Sequence, residues 1–246
     1  MKDNFSKQAI EYAKYRPNYP PPLMAYLFNL VSNKHIAWDC ATGNGQIAAV
    51  LAEKFMTVFA SDISQKQLSN ATIKDNIIYS CTPAERTDFE DNTFNLITVG
   101  QAIHWFNFDL FYKEVNRTLI KEGGVIAVIG YGLNTINKEV DTITQWFYTE
   151  IIGQYWDKER RYIDEQYKSI PFPFEEITAP TFKSEFHWTL SQYLGYLSTW
   201  SAVQHYIRAR GEDPVKLIAK KLSLIWKENE LKKIGFPILL RVGKPK

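Results

Sequence analysis

The sequence predicts an α/β fold built around a mostly parallel sheet, and three features of the chain lead to that prediction. Residues 36–46 read as a buried strand that ends in a small-residue turn and continues into an apolar-periodic helix. A second strand and helix follow over 57–71, and a continuous apolar run over 125–129 is typical of a central parallel strand. Strands that alternate with helices form parallel sheets, so we expect helices on both faces.

The individual elements follow the same alternation along the chain. In the N-terminal part, apolar residues at helical spacing indicate a first helix over 6–15, and a proline-rich break precedes a second helix over 23–32. Ser64 and Gln67 form a candidate capping box at the start of the helix that ends at Ala71. The spacing in the first helix is that of Phe5, Ala9, Tyr12 and Ala13. Strands are predicted over 36–40, 57–61, 77–80, 94–99 and 125–129, and a helix over 45–55.

After Tyr131 the alternation stops and the chain becomes helical and aromatic. Sixteen of the 61 residues between Trp146 and Tyr206 are Phe, Trp or Tyr, against 15% for the whole chain. This enrichment is explained equally well by the core of a helical cap and by the lining of a substrate pocket. A strand is predicted over 182–189, helices over 191–208 and from Asp213-Pro214 onward, and a closing strand over 236–242.

The chain is therefore predicted to form one domain, 1–246, with an insertion. Its parts are a helical lid over 1–32, the alternating core over 33–131, the insertion over 132–235 and the closing strand over 236–246.

Composition restricts the classes of function. The formal net charge is +2, from 29 basic and 27 acidic residues without a long like-charge block, which gives no reason to expect a nucleic-acid partner. The N-terminus lacks the apolar region of a signal peptide and no stretch is long enough to span a membrane, so we expect a soluble, cytoplasmic protein. Two cysteines and four scattered histidines indicate neither a disulfide framework nor a metal site.

The turn after the first strand is the candidate ligand site. Residues 43–48 fit the loose dinucleotide pattern G-x-G-x-x-G/A, and such a turn is expected to direct backbone N–H groups and a helix N-terminus at a ligand. Asp39, four positions before Gly43, would repel a pyrophosphate, whereas a ligand amino group or a turn whose N–H groups need holding would tolerate it. Asp62 can accept hydrogen bonds from ribose hydroxyls, as in both NAD and S-adenosylmethionine sites, or can be an acid favoured at a helix N-terminus.

Four core motifs follow one another along the chain, at 39–45, at Asp62, at 83–85 and at 119–125. This ordered set resembles class I S-adenosylmethionine-dependent methyltransferases, type 11. Five further segments lie at 15–20, 101–106, 170–174, 199–203 and 236–243. They resemble the branch of trans-aconitate-methyltransferase-like and embryo-abundant-protein-like members, and the similarity spans nearly the whole chain.

The resemblance implies a Rossmann-like sheet of seven strands with the last one antiparallel, and S-adenosylmethionine at the carboxyl ends of the first strands. Ala41 stands where many relatives have glycine, and Pro83 replaces a commonly acidic residue. By resemblance, Asp62 would contact the ribose, and Ile63 one face of the adenine. The methionine part would lie among Asp39, Ala41, Gly43 and Gly45, and the adenine edge beside Ala84 and Glu85, with Gln101 also in the cofactor set.

These residues suggest transfer of a methyl group to a small molecule, and the resemblance alone suggests a carboxylic acid. His104, beside Trp105, is the candidate base or acceptor contact, although a histidine among aromatic residues is also commonly structural. Tyr15 and Arg16 suit a lid whose guanidinium meets a carboxylate of cofactor or substrate, or a surface arginine that caps a helix end. The alternatives are an NAD-dependent oxidoreductase and a non-catalytic S-adenosylmethionine-binding scaffold.

Overall fold

The structure, a computed structural model, describes residues 15–246. The helix predicted over 6–15 lies outside the described residues apart from Tyr15. The strands are β1 Ile36–Cys40, β2 Thr57–Asp62, β3 Ile77–Cys81, β4 Leu96–Gly100, β5 Val125–Tyr131, β6 Glu175–Ile177, β7 Lys183–Trp188 and β8 Lys232–Lys244. The α-helices are α1 Pro21–Leu30, α2 Gln46–Leu51, α3 Gln65–Leu68, α4 Phe108–Thr118, α5 Lys138–Trp146, α6 Arg161–Asp164, α7 Leu190–Ser198, α8 Ser201–Arg210 and α9 Val215–Leu222.

The sheet has the strand order β3-β2-β1-β4-β5-β8-β6, and β7 pairs separately with β8. All pairs among β1 to β5 are parallel, whereas β8 runs antiparallel to β5, from Ile126 opposite Gly243 to Tyr131 opposite Ile238. The predicted fold class, a mostly parallel sheet with a reversed last strand, is therefore confirmed. The sheet has eight strands where the resemblance implied seven, because β7 pairs with the first half of β8.

Helices cover both faces of the sheet because alternate strand residues point to opposite sides. On β1, Trp38 belongs to the buried cluster that includes Phe111 and Val115 of α4. Its neighbour Ala37 belongs to a second cluster with residues of α1 and α2. Because β1 to β5 are parallel, their carboxyl ends lie at one edge of the sheet, and the turn from β1 into α2 lies at that edge.

The insertion has an aromatic core of its own. Tyr193, Trp200, Trp226 and Phe236 are fully or almost fully buried in one cluster formed by α5, α7, α8, α9 and the first half of β8. Part of the aromatic enrichment after Tyr131 is thus core packing.

Several elements differ from the sequence prediction. The helix predicted over 45–55 ends at Leu51, and the helix predicted to end at Ala71 ends at Leu68. The helix predicted over 191–208 is divided into α7 and α8, because Trp200 is extended and buried between them. The closing strand is longer than predicted and begins at Lys232, because its first half pairs with β7. The three-residue strand β6 has no apolar periodicity and was not predicted.

The capping box predicted at Ser64 is half formed. The Ser64 side chain accepts a hydrogen bond from the Gln67 N–H, but Gln67 Oε1 has no hydrogen-bond partner within residues 15–246.

Within residues 15–246, no helix combines the length and apolarity needed to cross a membrane. In the same range, no group of His, Cys, Asp and Glu side chains could hold a metal ion.

Candidate functional site

The turn between β1 and α2 has an unusual backbone. Ala41, Gly43 and Gly45 all have positive φ, at 54°, 58° and 81°. At Gly45 a Cβ atom would collide with the hydroxyl of Tyr79, so glycine is required there for space as well as for conformation. Ala41 is strained, because a side chain disfavours the left-handed region.

Asp39 organises this turn from below. Its Oδ2 accepts from Thr42 Oγ1 at 2.5 Å and from the Ala48 N–H at 3.0 Å, and its Oδ1 accepts from Thr98 Oγ1 at 2.8 Å. Burial, opposed by these hydrogen bonds and reinforced by the charge of Asp62, raises the pKa of Asp39 to about 6. Asp39 thus connects β1, β4 and α2. This matches the sequence-based alternative in which its carboxylate holds the turn.

Asp62, at the end of β2, fixes the turn from the other side. Its Oδ2 accepts from the Gly43 N–H at 2.9 Å, and its Oδ1 accepts from the Ser64 N–H at 2.8 Å. The carboxylate is almost fully buried beside the turn. Each oxygen of a carboxylate has more than one lone pair, so the hydrogen bonds to Gly43 and Ser64 do not by themselves prevent contact with a ligand.

The expectation that the turn directs its N–H groups at a ligand is wrong for three of them. The Thr42 N–H donates to the Ser61 carbonyl, Gly43 donates to Asp62, and Gly45 donates to the Thr42 carbonyl. Because these donors are used inside the protein, the turn is a poor cradle for a pyrophosphate. The geometry therefore disfavours the dinucleotide alternative.

A cavity of about 500 Å³, here called the turn cavity, lies above the carboxyl ends of β1, β4 and β5. In open α/β sheets, ligands bind at this edge. The aromatic rings of Tyr19 and Tyr131 and the guanidinium of Arg16 form part of its wall. Its lining includes Arg16, Asp39, Ala41, Gly43 and Gln101 from the predicted cofactor set.

Gln101 joins β4 to β5 just beyond the end of β4. Its backbone has φ of 54°, its N–H donates to the Ile129 carbonyl, and its Oε1 accepts from the Tyr131 N–H at 2.8 Å. Its Nε2 donates to the Tyr131 carbonyl at 3.4 Å. The side chain thus continues the pairing of the two strands and fixes Tyr131.

Arg16 connects the N-terminal segment to the insertion. Its Nη1 donates to the Tyr131 hydroxyl at 2.7 Å and its Nη2 to the Thr199 carbonyl at 3.0 Å. The guanidinium also lies over the Tyr196 ring, 5.8 Å from the centroid. Arg16 is therefore a fixed part of the wall, and the surface-arginine alternative does not describe it.

A second cavity of about 430 Å³, here called the tryptophan cavity, shares Arg16 and Gln101 with the first. The rest of its wall comes from the turn after β4 and from the insertion. This wall includes His104, Trp105, Trp156, Asp157, Arg160 and Trp200. Trp156 and Trp200 of the insertion thus line a cavity, and Trp200 also belongs to the core of the insertion. That this cavity takes a substrate stays a prediction.

His104 is neutral in this cavity. Burial, with the positive charges of Arg160 and Arg16, lowers the pKa of His104 to about 3. Its Nδ1 lies 3.4 Å from the Tyr167 hydroxyl, and its ring packs against Trp105 with centroids 4.9 Å apart. A ring with this pKa is a very weak base, so it can offer a hydrogen bond but accepts a proton poorly.

Six predicted cofactor residues lie outside the walls of both cavities. Gly45 and Asp62 support the turn. Glu85 Oε1 accepts from the Asn107 N–H at 3.1 Å, and Ala84 is buried in the core. Tyr15 packs closely on Gly195, and the Ile63 carbonyl accepts from Cys81 Sγ at 3.5 Å. The ligand contacts of these residues stay predictions.

Sequence reasoning missed Tyr131, Trp156 and Arg160 as wall residues. Tyr131 ends the apolar run of β5. Because ligands bind at the carboxyl ends of parallel strands, an aromatic residue at that position could have been predicted to line the cavity. Trp156 and Arg160 are four positions apart in an irregular aromatic stretch. The spacing of an arginine and an aromatic residue was the one feature of the sequence that could have indicated their contact.

Comparison with known proteins gives a consistent result. The family described as "Methyltransferase domain" matches residues 38–128. A Dictyostelium discoideum protein assigned as a methyltransferase is 33% identical over 250 residues, which cover 98% of this chain and 95% of that protein.

Solved structures are also similar to this chain. An Anaeromyxobacter dehalogenans protein assigned as a type II methyltransferase superposes with a TM-score of 0.86 at 34% identity, covering 94% of this chain and 100% of that one. Phosphoethanolamine N-methyltransferase 2 of Haemonchus contortus, solved with phosphomonomethylethanolamine and S-adenosylhomocysteine, has a TM-score of 0.50 at 15% identity. It covers 98% of this chain and 58% of its own, and it shows similarity of fold alone.

Proposed function

This chain belongs to the S-adenosylmethionine-dependent methyltransferases, and we propose that its turn cavity binds S-adenosylmethionine while its tryptophan cavity binds a small-molecule methyl acceptor. The observation that carries the proposal is the shared wall of the two cavities, formed by Arg16 and Gln101 at the carboxyl edge of the sheet. A donor on one side of this wall and an acceptor on the other would be held close together.

The residues of the turn cavity, and Asp62 beside it, fit this cofactor. The Asp62 carboxylate lies outside the cavity wall, where two backbone N–H groups fix it, and carboxylate oxygens accept hydrogen bonds from ribose hydroxyls. The rings of Tyr19 and Tyr131 suit a sulfonium cation, which aromatic faces attract. Arg16 offers positive charge for the carboxylate of the methionine part.

When bound, the cofactor would supply an activated methyl group for transfer to an acceptor lone pair, with the carbon–sulfur electron pair remaining on sulfur. The protein's contribution is to position the acceptor and exclude water. Arg16, pinned at Tyr131 and Thr199, keeps the two cavities adjacent.

A carboxylic acid is the acceptor class we propose. His104, with its pKa lowered to about 3, is a poor general base, and a carboxylic acid needs none because it is already ionised at neutral pH. The guanidinium groups of Arg16 and Arg160 outnumber the Asp157 carboxylate in the cavity wall, which favours an anionic acceptor. In this proposal His104 and Trp105 are acceptor contacts.

Release of S-adenosylhomocysteine tests the proposal. The protein is incubated with S-adenosylmethionine and pools of small carboxylic acids, with matched pools of their amides. We expect release that depends on the acids. Cofactor binding without release in any pool, extended to amines, thiols and phenols, would instead support the non-catalytic scaffold.

A further inference from the structure

Arg160 occupies a distinctive place in the tryptophan cavity. It ends the short 3-10 turn Lys158–Arg160 and directly precedes α6. Its side chain lines the cavity and is only 15% exposed. A buried guanidinium is unfavourable unless it is paired or binds a ligand.

The guanidinium is held rigidly by its neighbours. Its central carbon lies 4.6 Å from the centroid of the Trp156 ring and 5.3 Å from that of Tyr148. Its Nε donates to the Tyr148 hydroxyl at 2.8 Å, and that hydroxyl donates to Asp164 Oδ1 at 2.7 Å. Arg160 Nε also approaches Asp164 Oδ1 at 3.4 Å. The orientation of Arg160 is therefore set before any ligand binds.

All these contacts engage Nε or the face of the guanidinium. Within residues 15–246, neither Nη atom of Arg160 makes a hydrogen bond to another protein group. Arg16 differs, since its two Nη atoms donate to Tyr131 and Thr199. The cavity therefore contains a preorganised pair of N–H donors suited to two oxygen atoms of one anionic group.

We propose that Arg160 is the acceptor-anchoring residue: its Nη edge binds an oxyanionic group of the acceptor, either a carboxylate or a phosphate. The atom that receives the methyl group is a different group of the same molecule, located at the wall of Arg16 and Gln101. An oxyanion held by two charge-assisted hydrogen bonds is a weakened nucleophile, which separates the anchor from the reacting atom. This inference rests on the proposed function, because it takes the tryptophan cavity as the acceptor site.

Calorimetry tests the anchor without knowing the natural acceptor. Protein saturated with S-adenosylhomocysteine is titrated separately with succinate, inorganic phosphate and the uncharged succinamide. We expect succinate, phosphate or both to bind and succinamide not to bind. Binding of succinate alone identifies a carboxylate anchor, and binding of phosphate alone a phosphate anchor.

The variants give the decisive comparison. Arg160→Met should weaken binding of the anion at least tenfold, and Arg160→Lys, which keeps the charge but loses the fork, should fall between Met and wild type. Arg161→Met is the matched control, since Arg161 is exposed and lies over Tyr162, and it should bind within twofold of wild type. Thermal unfolding checks that each variant is folded. If Arg160→Met does not fold, the comparison of Arg160→Lys with the wild type still tests the anchor.

Two outcomes would overturn the assignment: no binding of either anion by the wild type, or equal binding by wild type and the Arg160 variants. The proposed function fails separately, if S-adenosylhomocysteine itself does not bind. Retained S-adenosylhomocysteine binding with no anion site contradicts only the role of Arg160.

Discussion

Ala41 has a backbone conformation that favours glycine, in the turn that carries the proposed cofactor site. With φ of 54°, its side chain opposes the left-handed conformation, at a cost of roughly 1–2 kcal/mol, while glycine loses about 0.5–1 kcal/mol more chain entropy on folding. We therefore expect Ala41→Gly to raise the free energy of unfolding by up to about 1 kcal/mol. Chemical denaturation measures this change.

The matched control for this substitution is Ala49→Gly in α2, where the backbone is helical. It should lower the free energy of unfolding by about 1 kcal/mol. If Ala41→Gly destabilised the protein as much as Ala49→Gly, the strain assigned to the turn would be wrong.

His104 makes stability depend on pH. Its pKa is lowered to about 3 in the folded chain from an ordinary 6.5, so below pH 6.5 the unfolded chain binds a proton that the folded chain does not. The stability contributed by neutral His104 is therefore complete above pH 6.5 and declines as the pH falls toward 3. Between about pH 7.5 and about pH 5.5 the loss should be about 1.4 kcal/mol.

Urea unfolding at both pH values, for wild type and His104→Gln, measures this loss. Asp39 has the opposite effect, since a pKa raised to about 6 makes the fold less stable as the pH rises from 3.8 to 6. Because Asp39 is present in both proteins, its effect cancels in the comparison. His35→Gln, at an exposed position, is the control. Equal pH dependence of wild type and His104→Gln would contradict the burial of a neutral imidazole.

At the scale of elements, Arg241 connects the closing strand to β6 and to the segment that precedes β6. Its Nε and Nη2 donate to the two carboxylate oxygens of Glu176 at 2.8 and 2.7 Å, and its Nη1 donates to the Ile170 carbonyl at 2.5 Å. The guanidinium also lies over the Phe172 ring at 4.5 Å. The two distant motifs at 170–174 and 236–243 are thus one structural unit.

Arg241→Met should therefore lower the free energy of unfolding by about 1–2 kcal/mol, because it leaves a carbonyl and a carboxylate without their donor. Lys233→Met on the same strand removes an exposed ion pair with Glu185 and should change it by less than about 0.5 kcal/mol. Chemical denaturation measures both changes. Equal effects of the two substitutions would contradict the stabilising role of Arg241.

The sequence predicts elements best where local pattern and tertiary structure agree. The strands at 36–40 and 125–129 and the role of Asp39 in the turn follow from apolar runs and strand ends. The break at Trp200 does not, because it depends on burial of that ring among side chains from other elements. The place of Arg160 in the cavity wall was missed for the same reason. Its orientation depends on contacts with Tyr148, Trp156 and Asp164, and the spacing of residues in the sequence does not predict such contacts.

At the scale of the whole molecule, the N-terminal segment joins the sheet to the insertion. Tyr15 packs on Gly195, Arg16 donates to Thr199, and the Asn18 carbonyl accepts from Ser184 Oγ at 2.9 Å. Because Arg16 is in the walls of both cavities, a ligand in either one contacts the same segment. We therefore expect binding in the two cavities to be coupled.

The central claim is that S-adenosylmethionine binds in the turn cavity and extends past its wall to Asp62, which contacts the ribose. Calorimetric titration of the wild type, Asp62→Ala and the exposed control Asp75→Ala with S-adenosylmethionine tests it directly. We predict binding of one equivalent by wild type and control, and at least about tenfold weaker binding by Asp62→Ala, since a hydrogen-bonded carboxylate contributes about 1.5–3 kcal/mol. No binding by the wild type, or undiminished binding by Asp62→Ala, would contradict the account.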